Sequence, residues 1–497
     1  MLEARSRLGA LRELGANRFV VAVGRSMSLG VANLLIRLLS IALLSRLLSA
    51  DAFGVYFLGQ SVALLFGIAG NLSFSYRVME TPDLRVREFA ICMAWPFAAT
   101  TAMVIAAWLG GELVAPGYVA SVLGPSGLII AATAPAMAAL RTAEALARRL
   151  LEFRFFSWVE IIAVIVGLLV VAPGLALAGF GAMALAAGHC CYVAVKLCLL
   201  LRHDLPRLPS VLDTAHAFPA RSGRMAAYGL ELLDSISVHF MRLVIGAAFG
   251  PAVVALWTRA SQLILLGINL LMAPISNVLV PLALRDGERR EHLTAQAPLV
   301  LDNFALILLP VAIAALVLAP EITLIILGRD WLNTVPYLQA FALLIIARTL
   351  QRAFGTLGRA TRTSAKRLLI DSAGLVAFTV SSIASPFFGP IVAAWIFSLT
   401  SSVAVLFHFA SLSEVTAHRL LAFWRTPLAF GIFLLMATLY SHFGGASASL
   451  LSRLFIVASG MLALLSAQAV SVLLGRPLFA GQRIVKFART MNHASIN

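Results

Sequence analysis

Residues 155–175 read FFSWVEIIAVIVGLLVVAPGL, an apolar run in which Glu160 is the single charged side chain. An α-helix needs about 20 apolar residues to cross a bilayer, so this run predicts a transmembrane helix. Similar runs recur along the chain and predict about 14 such helices, whereas the strands of a membrane barrel would alternate polar and apolar residues. The predicted spans are 26–48, 55–77, 89–110, 119–140, 155–175, 178–201, 225–249, 252–283, 298–319, 332–353, 368–386, 389–411, 423–442 and 450–474.

The composition supports an all-α integral membrane protein. The chain has 497 residues, of which 61% are hydrophobic and 12% charged, and its mean hydropathy is +0.94. Soluble domains carry about 25% charged residues, so a soluble fold could not bury this apolar surface. The net charge of +16 would suggest a nucleic-acid partner in a soluble protein. Here we interpret it as a topology signal that also attracts anionic membrane lipids, and we predict no nucleic-acid partner.

The basic residues are distributed unevenly between the two ends of the predicted helices. Most of the 38 Lys and Arg residues fall in alternate joints. Positive charge is retained in the cytoplasm during membrane insertion, so both termini are predicted to be cytoplasmic. The first apolar run is too long for the core of a signal peptide, and we expect it to remain as a helix.

The longest basic joint, residues 202–224, contains three prolines and follows six predicted helices, which indicates a linker between two halves. Residues 61–67 (SVALLFG) resemble residues 261–267 (SQLILLG), and an even number of helices separates them. We therefore predict two parallel-repeat six-helix bundles around a central cavity, followed by two C-terminal helices. The predicted organisation is a basic cytoplasmic N-terminal segment 1–25, an N-lobe 26–201, the linker 202–224, a C-lobe 225–411, helices 13 and 14 within 412–474, and a basic cytoplasmic tail 475–497.

Sequence motifs for several enzyme classes are missing. The chain contains no Gly-Lys dipeptide, which excludes a Walker A loop, and it has neither a histidine pair at metal-binding spacing nor a Gly-x-Ser-x-Gly elbow. The predicted outward joints are short and carry few polar groups. These observations favour transport without ATP hydrolysis, with no cofactor and no metal, over an enzyme.

Four cations lie inside predicted helices, where a cation costs roughly 2.5–3.5 kcal/mol at the helix centre. Arg37 is near the middle of the first helix, and we favour a role in the cavity, with a structural pair to an acid on a neighbouring helix as the alternative. For Arg242 and Arg259 a cavity role, ion pairing and snorkelling remain open. Lys196 lies near a helix end and is expected to snorkel, while Glu160 is expected to be stabilised by the macrodipole in the first turns of its helix.

Polar residues also form stripes on helices 1, 2, 7 and 8, the equivalent helices of the two halves. Buried cations near the centre suggest an anionic or phosphate-bearing substrate. Asp234, on the same broad face as Arg242, is the best candidate for a proton or sodium site, and Glu231 shares this face. The predicted substrate-binding residues are Arg37, Arg242, Arg259, Asn33, Gln60, Asn71 and Gln262.

Several joints resemble the polysaccharide biosynthesis and export family, the Wzx-type flippases of the MOP (multidrug/oligosaccharidyl-lipid/polysaccharide) superfamily. Residues 45–56 (SRLLSADAFGVY) are similar to the family's signature between helices 1 and 2. Residues 250–261 resemble its joint between helices 7 and 8, and Pro281 matches a proline late in helix 8. Residues 327–338, with Trp331 and Pro336, are similar to the segment before helix 10.

The resemblance implies alternating access by rocking of two bundles and an anionic substrate, a polyprenyl-pyrophosphate-linked oligosaccharide for exopolysaccharide or O-antigen synthesis. It implies a bacterial inner-membrane location and, as further partners, a polysaccharide polymerase and chain-length or export proteins. A cationic lumen is typical of the family, and Arg37, Arg242 and Arg259 could supply it. Two alternatives remain open: a multidrug or cation antiporter of the same superfamily, and a membrane enzyme of polysaccharide assembly.

Overall fold

The structure, a computed structural model, describes residues 32–71, 74–81, 84–114, 118–150, 153–208, 222–283, 305, 308–361, 387–412 and 425–443. Within these ranges the regular secondary structure is helical and contains no strand. Among these described residues, seven helices are long and apolar enough to cross a membrane, or up to nine if each of two bent helix pairs is one span. This confirms the all-α membrane class. The predicted spans 368–386 and 450–474 lie outside the described residues, and the total of about 14 stays a prediction.

The chain divides into two compact units, Met1–Ala220 and Arg221–Asn497. The boundary falls within residues 202–224, the segment predicted as a linker. The subdivision into lobes, linker and terminal segments stays a prediction, since residues 209–221 and both chain ends lie outside the described ranges.

The N-terminal unit is built from nine helices among its described residues. These are α1 (residues 32–47), α2 (Ala50–Asn71), α3 (Phe74–Glu80), α4 (Val86–Val114), α5 (Tyr118–Ala131), α6 (Ala134–Arg149), α7 (Phe153–Val164), α8 (Ala172–Leu177) and α9 (Ala182–Asp204). The predicted span 119–140 contains α5 and α6, which a turn at residues 132–133 separates, and residues Leu123–Arg149 together still form one candidate membrane span. A proline at the start of α6 favours a helix start there, because proline tolerates the first helical turn but not the interior.

A π-helical segment, Ile165–Val171, joins α7 to α8. Pro173 follows it and cannot donate a backbone hydrogen bond, and its ring would crowd the carbonyl group four residues earlier in a regular α-helix. The wider π turn relieves this conflict: the N–H of Ala172 bonds the carbonyl of Gly167, five residues before it. Gly167 packs closely on Gly188 of α9, where a Cβ atom on Gly167 would lie 2.6 Å from the Gly188 carbonyl oxygen.

Large apolar side chains cover much of the outer surface of this unit. Trp95, Ile105 and Trp108 of α4 are at least half exposed, as are Val170 and Leu177 near α8. Exposed apolar surface of this extent is unfavourable in water and favourable in hydrocarbon. The fold therefore presents these faces to lipid and keeps a separate apolar layer inside, between α6, α7 and α9.

The C-terminal unit contains two long antiparallel helices followed by broken ones. The helices are α10 (Ser222–Phe249), α11 (Pro251–Ala283), α12 (Leu308–Val317), α13 (Ala319–Ile326), α14 (Val335–Ala342), α15 (Leu344–Thr361), α16 (Pro390–Leu412) and α17 (Arg425–Phe443). Gly250, at φ +85°, forms the tight turn between α10 and α11, a backbone conformation that favours glycine. The α12–α13 pair bends by 71°, and the segment Arg329–Ala342 meets Leu344–Ala353 at 49°.

Candidate functional site

Six charged or polar side chains from the helices of the N-terminal unit meet in one network. They come from four helices: α1, α6, α7 and α9. We call this network the charged cluster, and it consists of Arg37, Glu144, Arg148, Glu160, Tyr192 and Lys196.

Arg37 is a partly exposed cation of the cluster, and two partners orient its guanidinium group. Its Nε donates to Oδ1 of Asn33, one helical turn earlier, at 3.3 Å. Its Nη2 donates to Oε1 of Glu160 on α7. The Arg37 side chain is 41% exposed, whereas that of Glu160 is 7% exposed. On the sequence alone, a cavity role is favoured for Arg37, with a pair to an acid on a neighbouring helix as the alternative. The structure contains the pair and still leaves part of the guanidinium side chain accessible.

Glu160 has donors on both carboxylate oxygens. Oε1 accepts from Arg37 and, at 3.0 Å, from the hydroxyl of Tyr192, while Oε2 lies 2.6 Å from Nζ of Lys196. The expected position in the first turns of its helix is wrong, because α7 begins at Phe153 and has no acidic residue in its first turn. Cationic and hydroxyl groups of other helices, rather than the helix end, therefore stabilise this carboxylate.

Lys196 is buried between two carboxylates. Its Nζ lies 2.5 Å from Oε1 of Glu144 and 2.6 Å from Oε2 of Glu160, and 5.3 Å from the centre of the Phe156 ring. The expected snorkelling to water is wrong, since 4% of this residue is exposed. A buried charge that loses its partner is expensive, so Lys196 links α6, α7 and α9 electrostatically.

The charges of the cluster do not cancel. Glu144 also pairs with Arg148, one turn along α6, at 3.2 Å. Three cations thus face two carboxylates, and the cluster carries one surplus positive charge. Glu144, Glu160 and Lys196 lie about 8–12 Å from the helix ends at Arg149, Phe153 and Asp204, which places the cluster toward one end of the unit.

A second polar site in the same unit is neutral, and we call it the Asn71 junction. The amide nitrogen of Asn71 donates to the carbonyl of Ala138 and to Oγ1 of Thr142, both at 3.2 Å. Its Oδ1 accepts from the backbone N–H and the hydroxyl of Ser75, at 3.1 and 3.0 Å. An amide group has two donors and two acceptor sites, so the hydrogen-bonding capacity of Asn71 is filled by the protein.

Gln60 lies in a third polar group. Its Nε2 donates to the hydroxyl of Tyr56 at 3.2 Å, and the Tyr56 ring contacts the edge of the buried His189 ring at 5.8 Å. His189 in turn lies 3.3 Å from Oγ1 of Thr133, beside the turn between α5 and α6. The structure therefore does not bring Gln60 or Asn71 into the charged cluster, and of the substrate residues predicted within this unit Asn33 and Arg37 meet there.

In the C-terminal unit, Arg242 and Arg259 lie on opposite sides of the turn at Gly250, each about two helical turns from it, and both are buried. Nη1 of Arg259 donates to Oε1 of Gln262 at 3.1 Å, and its guanidinium lies 5.8 Å from the Trp331 ring. Nη1 of Arg242 is 3.5 Å from Nδ1 of His239. The side chains of Glu231 and Asp234 lie outside the described residues, and their role in ion coupling stays a prediction.

Sequence reasoning missed Glu144 and Tyr192. A usable signal was present, because Tyr192 precedes Lys196 by four residues and Glu144 precedes Arg148 by four, and such positions share a helix face. Among the described residues, no group of three or more His, Cys, Asp or Glu side chains is arranged to hold a metal ion.

Comparison with known proteins gives a family and a fold. A family model described as "Polysaccharide biosynthesis protein" matches residues 43–336, more than half of the chain. No curated protein sequence matches significantly. The fold is similar to that of the lipid II flippase MurJ in an inward closed conformation, with a TM-score of 0.62, 12% identity, and coverage of 91% of this chain and 99% of MurJ.

Two solved multidrug transporters are also similar in fold. An inward-facing MATE family transporter of the MOP superfamily has a TM-score of 0.55 and 15% identity, with 79% of this chain and 96% of that chain covered. A mutant of the Vibrio cholerae MATE transporter VcmN has a TM-score of 0.51 and 14% identity, with 84% and 97% covered. At these identities the likeness concerns the fold alone.

Proposed function

Because the chain belongs to the polysaccharide biosynthesis protein family, as the match over residues 43–336 shows, we propose that it is a flippase for lipid-linked oligosaccharides. The chain is a multi-pass membrane protein with the fold of MOP-superfamily transporters. The proposed substrate is a polyprenyl-pyrophosphate-linked repeat unit, moved across a bacterial inner membrane for exopolysaccharide or O-antigen synthesis. Transport would proceed by alternating access without ATP hydrolysis.

The observation that carries this proposal is the surplus positive charge of the charged cluster, which resides next to an accessible arginine. Arg148 lies one residue from the end of α6, whereas Arg37 lies within α1, and we therefore assign the charge in excess to Arg37. An arginine can bind two oxygens of a pyrophosphate at once, and charge-assisted bonds of this kind are stronger than neutral ones. We propose that Arg37, oriented by Asn33, binds the pyrophosphate while the polyprenyl chain stays in lipid.

Most of the other residues predicted from the sequence retain their predicted roles in this proposal. Arg242, Arg259 and Gln262 would offer further anion and hydroxyl contacts, Gln60 would contact sugar hydroxyls, and Glu231 with Asp234 would couple transport to protons or sodium. For Asn71 we now favour helix packing, because its hydrogen bonds are filled within the protein. The proposal includes cytoplasmic termini and, as partners, a polysaccharide polymerase and chain-length or export proteins.

Multidrug or cation antiport is the second candidate, since two MATE transporters share the fold. It predicts an accessible acidic site. The charged cluster has the opposite character, because its carboxylates are the less exposed groups, at 7% and 17%, and the accessible side chains are the cations Arg37 and Arg148. We therefore favour the anionic substrate.

The test is a deletion in the native bacterium complemented with variants. Without the protein, lipid-linked repeat units should accumulate on the cytoplasmic face and surface polymer should be lost. The Arg37→Ala variant should fail to restore polymer, with export reduced at least about tenfold, since one charge-assisted hydrogen bond contributes about 1.5–3 kcal/mol. Arg87→Ala is the matched control, because Arg87 is exposed in the first turn of α4. Normal surface polymer in the deletion strain would contradict the flippase proposal. Unchanged drug sensitivity of the deletion strain would contradict multidrug antiport.

A further inference from the structure

We infer that Glu160 competes with the substrate for Arg37 and is therefore a specificity-determining residue. Its carboxylate stays bound to Arg37 until a pyrophosphate displaces it, and anions that bind arginine more weakly are excluded. This inference rests on the proposed function and deepens it. The first step is geometric, because the Arg37–Glu160 pair joins one accessible side chain to one that is buried. The partner that can move without breaking the interior of the unit is therefore Arg37.

The second step concerns what Glu160 retains when Arg37 leaves. Its Oε1 keeps the hydroxyl of Tyr192 at 3.0 Å, and its Oε2 keeps Nζ of Lys196 at 2.6 Å. A buried carboxylate that loses its last donor would be strongly destabilised. Glu160 keeps a cation and a hydroxyl, so it can release Arg37 without becoming an unpaired buried charge.

The third step is charge balance. With Arg37 withdrawn, Glu144 and Glu160 face Lys196 and Arg148, and the remaining cluster is neutral. With Arg37 bound to Glu160, the cluster carries one positive charge. An anionic ligand that takes Arg37 therefore leaves a neutral core behind, and no proton has to move to restore the balance.

The fourth step sets the threshold for exchange. To bind, an anion must attract Arg37 more strongly than the Glu160 carboxylate does. A lipid pyrophosphate carries more negative charge than the phosphodiester of a membrane phospholipid and offers more oxygens for bidentate bonding. The Glu160 carboxylate thus works as built-in competition that phospholipids, although abundant around the protein, do not overcome.

The experiment uses the full-length protein in nanodiscs of phosphatidylcholine, with farnesyl pyrophosphate as the probe. Inorganic pyrophosphate serves as the headgroup without a lipid chain, and farnesol as the chain without charge. In Glu160→Gln the competing charge is gone while an acceptor for Arg37 remains, and we expect the dissociation constant of farnesyl pyrophosphate to fall about tenfold. Phosphatidylglycerol, which should compete poorly in the wild type, should now displace the probe.

Glu88→Gln is the matched control. It makes the same carboxylate-to-amide change at the start of α4, where Glu88 accepts from the N–H of Arg85, and should leave binding unchanged. If Glu160→Gln does not fold, Tyr192→Phe tests the same idea with the opposite sign. Without the Tyr192 hydroxyl, Glu160 depends more on Arg37, and probe binding should weaken about two- to threefold.

The outcomes separate the two proposals. In one outcome, Arg37→Ala loses probe binding, while folded Glu160→Gln binds the probe no more tightly than the wild type and phosphatidylglycerol competes no better. This outcome would overturn the competitor role and leave the proposed function standing. Full probe binding in folded Arg37→Ala would overturn the assignment of Arg37 to the pyrophosphate, and the inference with it. Binding of inorganic pyrophosphate equal to that of the lipid probe would point to a soluble anion instead of a lipid carrier.

Discussion

The charged cluster and the Asn71 junction are two polar regions of one membrane-spanning unit, and α6 contributes to both. Thr142 serves the junction and Glu144 the cluster, and residues two positions apart point to nearly opposite sides of a helix. In the junction, neutral groups satisfy each other within the protein. In the cluster, the charged groups carry one surplus positive charge, and the side chains of two arginines, Arg37 and Arg148, remain partly accessible. A buried polar group therefore indicates a binding site only when bonding capacity or charge remains after its internal partners are counted.

Lys196→Met should give the largest change and would break the cluster from within. It leaves Glu144 and Glu160 without the cation between them. Removing one partner of a buried ion pair lowers the free energy of unfolding by about 3–5 kcal/mol. We expect a strongly lowered unfolding temperature and a reduced yield of folded protein in membranes. Lys196→Arg, which retains the charge, is the control. An unfolding temperature equal to that of the wild type would mean that Lys196 does not stabilise the cluster.

Gly167→Ala should disturb the cluster through its helices. An added Cβ would lie 2.6 Å from the Gly188 carbonyl oxygen and 2.9 Å from the Tyr192 backbone nitrogen, so the π-helical segment, which continues the helix of Glu160, must shift away from α9. Overpacking of this kind costs about 1–3 kcal/mol. Thermal unfolding of the purified protein checks it, and Gly174→Ala is the matched control, because no atom lies within 4 Å of its added Cβ. Equal effects of the two substitutions would contradict the close packing at Gly167.

Asn71→Ala should have the smallest effect and sharpens the contrast between the two regions. It removes hydrogen bonds that join α2 to α6 and to the start of α3, at a net cost of about 1 kcal/mol. Stability should fall while binding of farnesyl pyrophosphate is retained. Unfolding and binding are measured on the same preparation. Lost binding at unchanged stability would return Asn71 to the substrate site, where the sequence had placed it.

The sequence predicted the class of fold because hydropathy is a local and additive property. Runs such as residues 155–175 identify a helix without reference to the rest of the chain, and the α10–α11 pair lies close to its predicted limits. Breaks within helices were harder to foresee. The turn before α6 and the π-helical segment before Pro173 depend on how individual backbone groups are satisfied, which average hydropathy does not report.

The basic residues of the predicted joints show a related limit of sequence-based prediction. Arg149 lies in one of the arginine-rich joints, so its presence there is already explained by the charge pattern that orients the helices. In the fold its Nη1 also donates to the carbonyls of Val78 and Thr81 at the end of α3, so this residue holds two helices together as well. A residue can serve insertion and packing at once, and only coordinates reveal the second role.

By itself, the sequence determined that this protein is a helical membrane protein and that Arg37 needs a reason for its position, because both follow from the cost of placing polar groups in hydrocarbon. It also placed Asn33 beside Arg37, since four residues make one helical turn. Only the tertiary structure decided that Glu160, 123 residues away, is the partner of Arg37 and that Lys196 is shared between two carboxylates. Charge neutralisation depends on distances between helices, and those distances are set by packing such as that of Gly167 on Gly188, which no local pattern specifies.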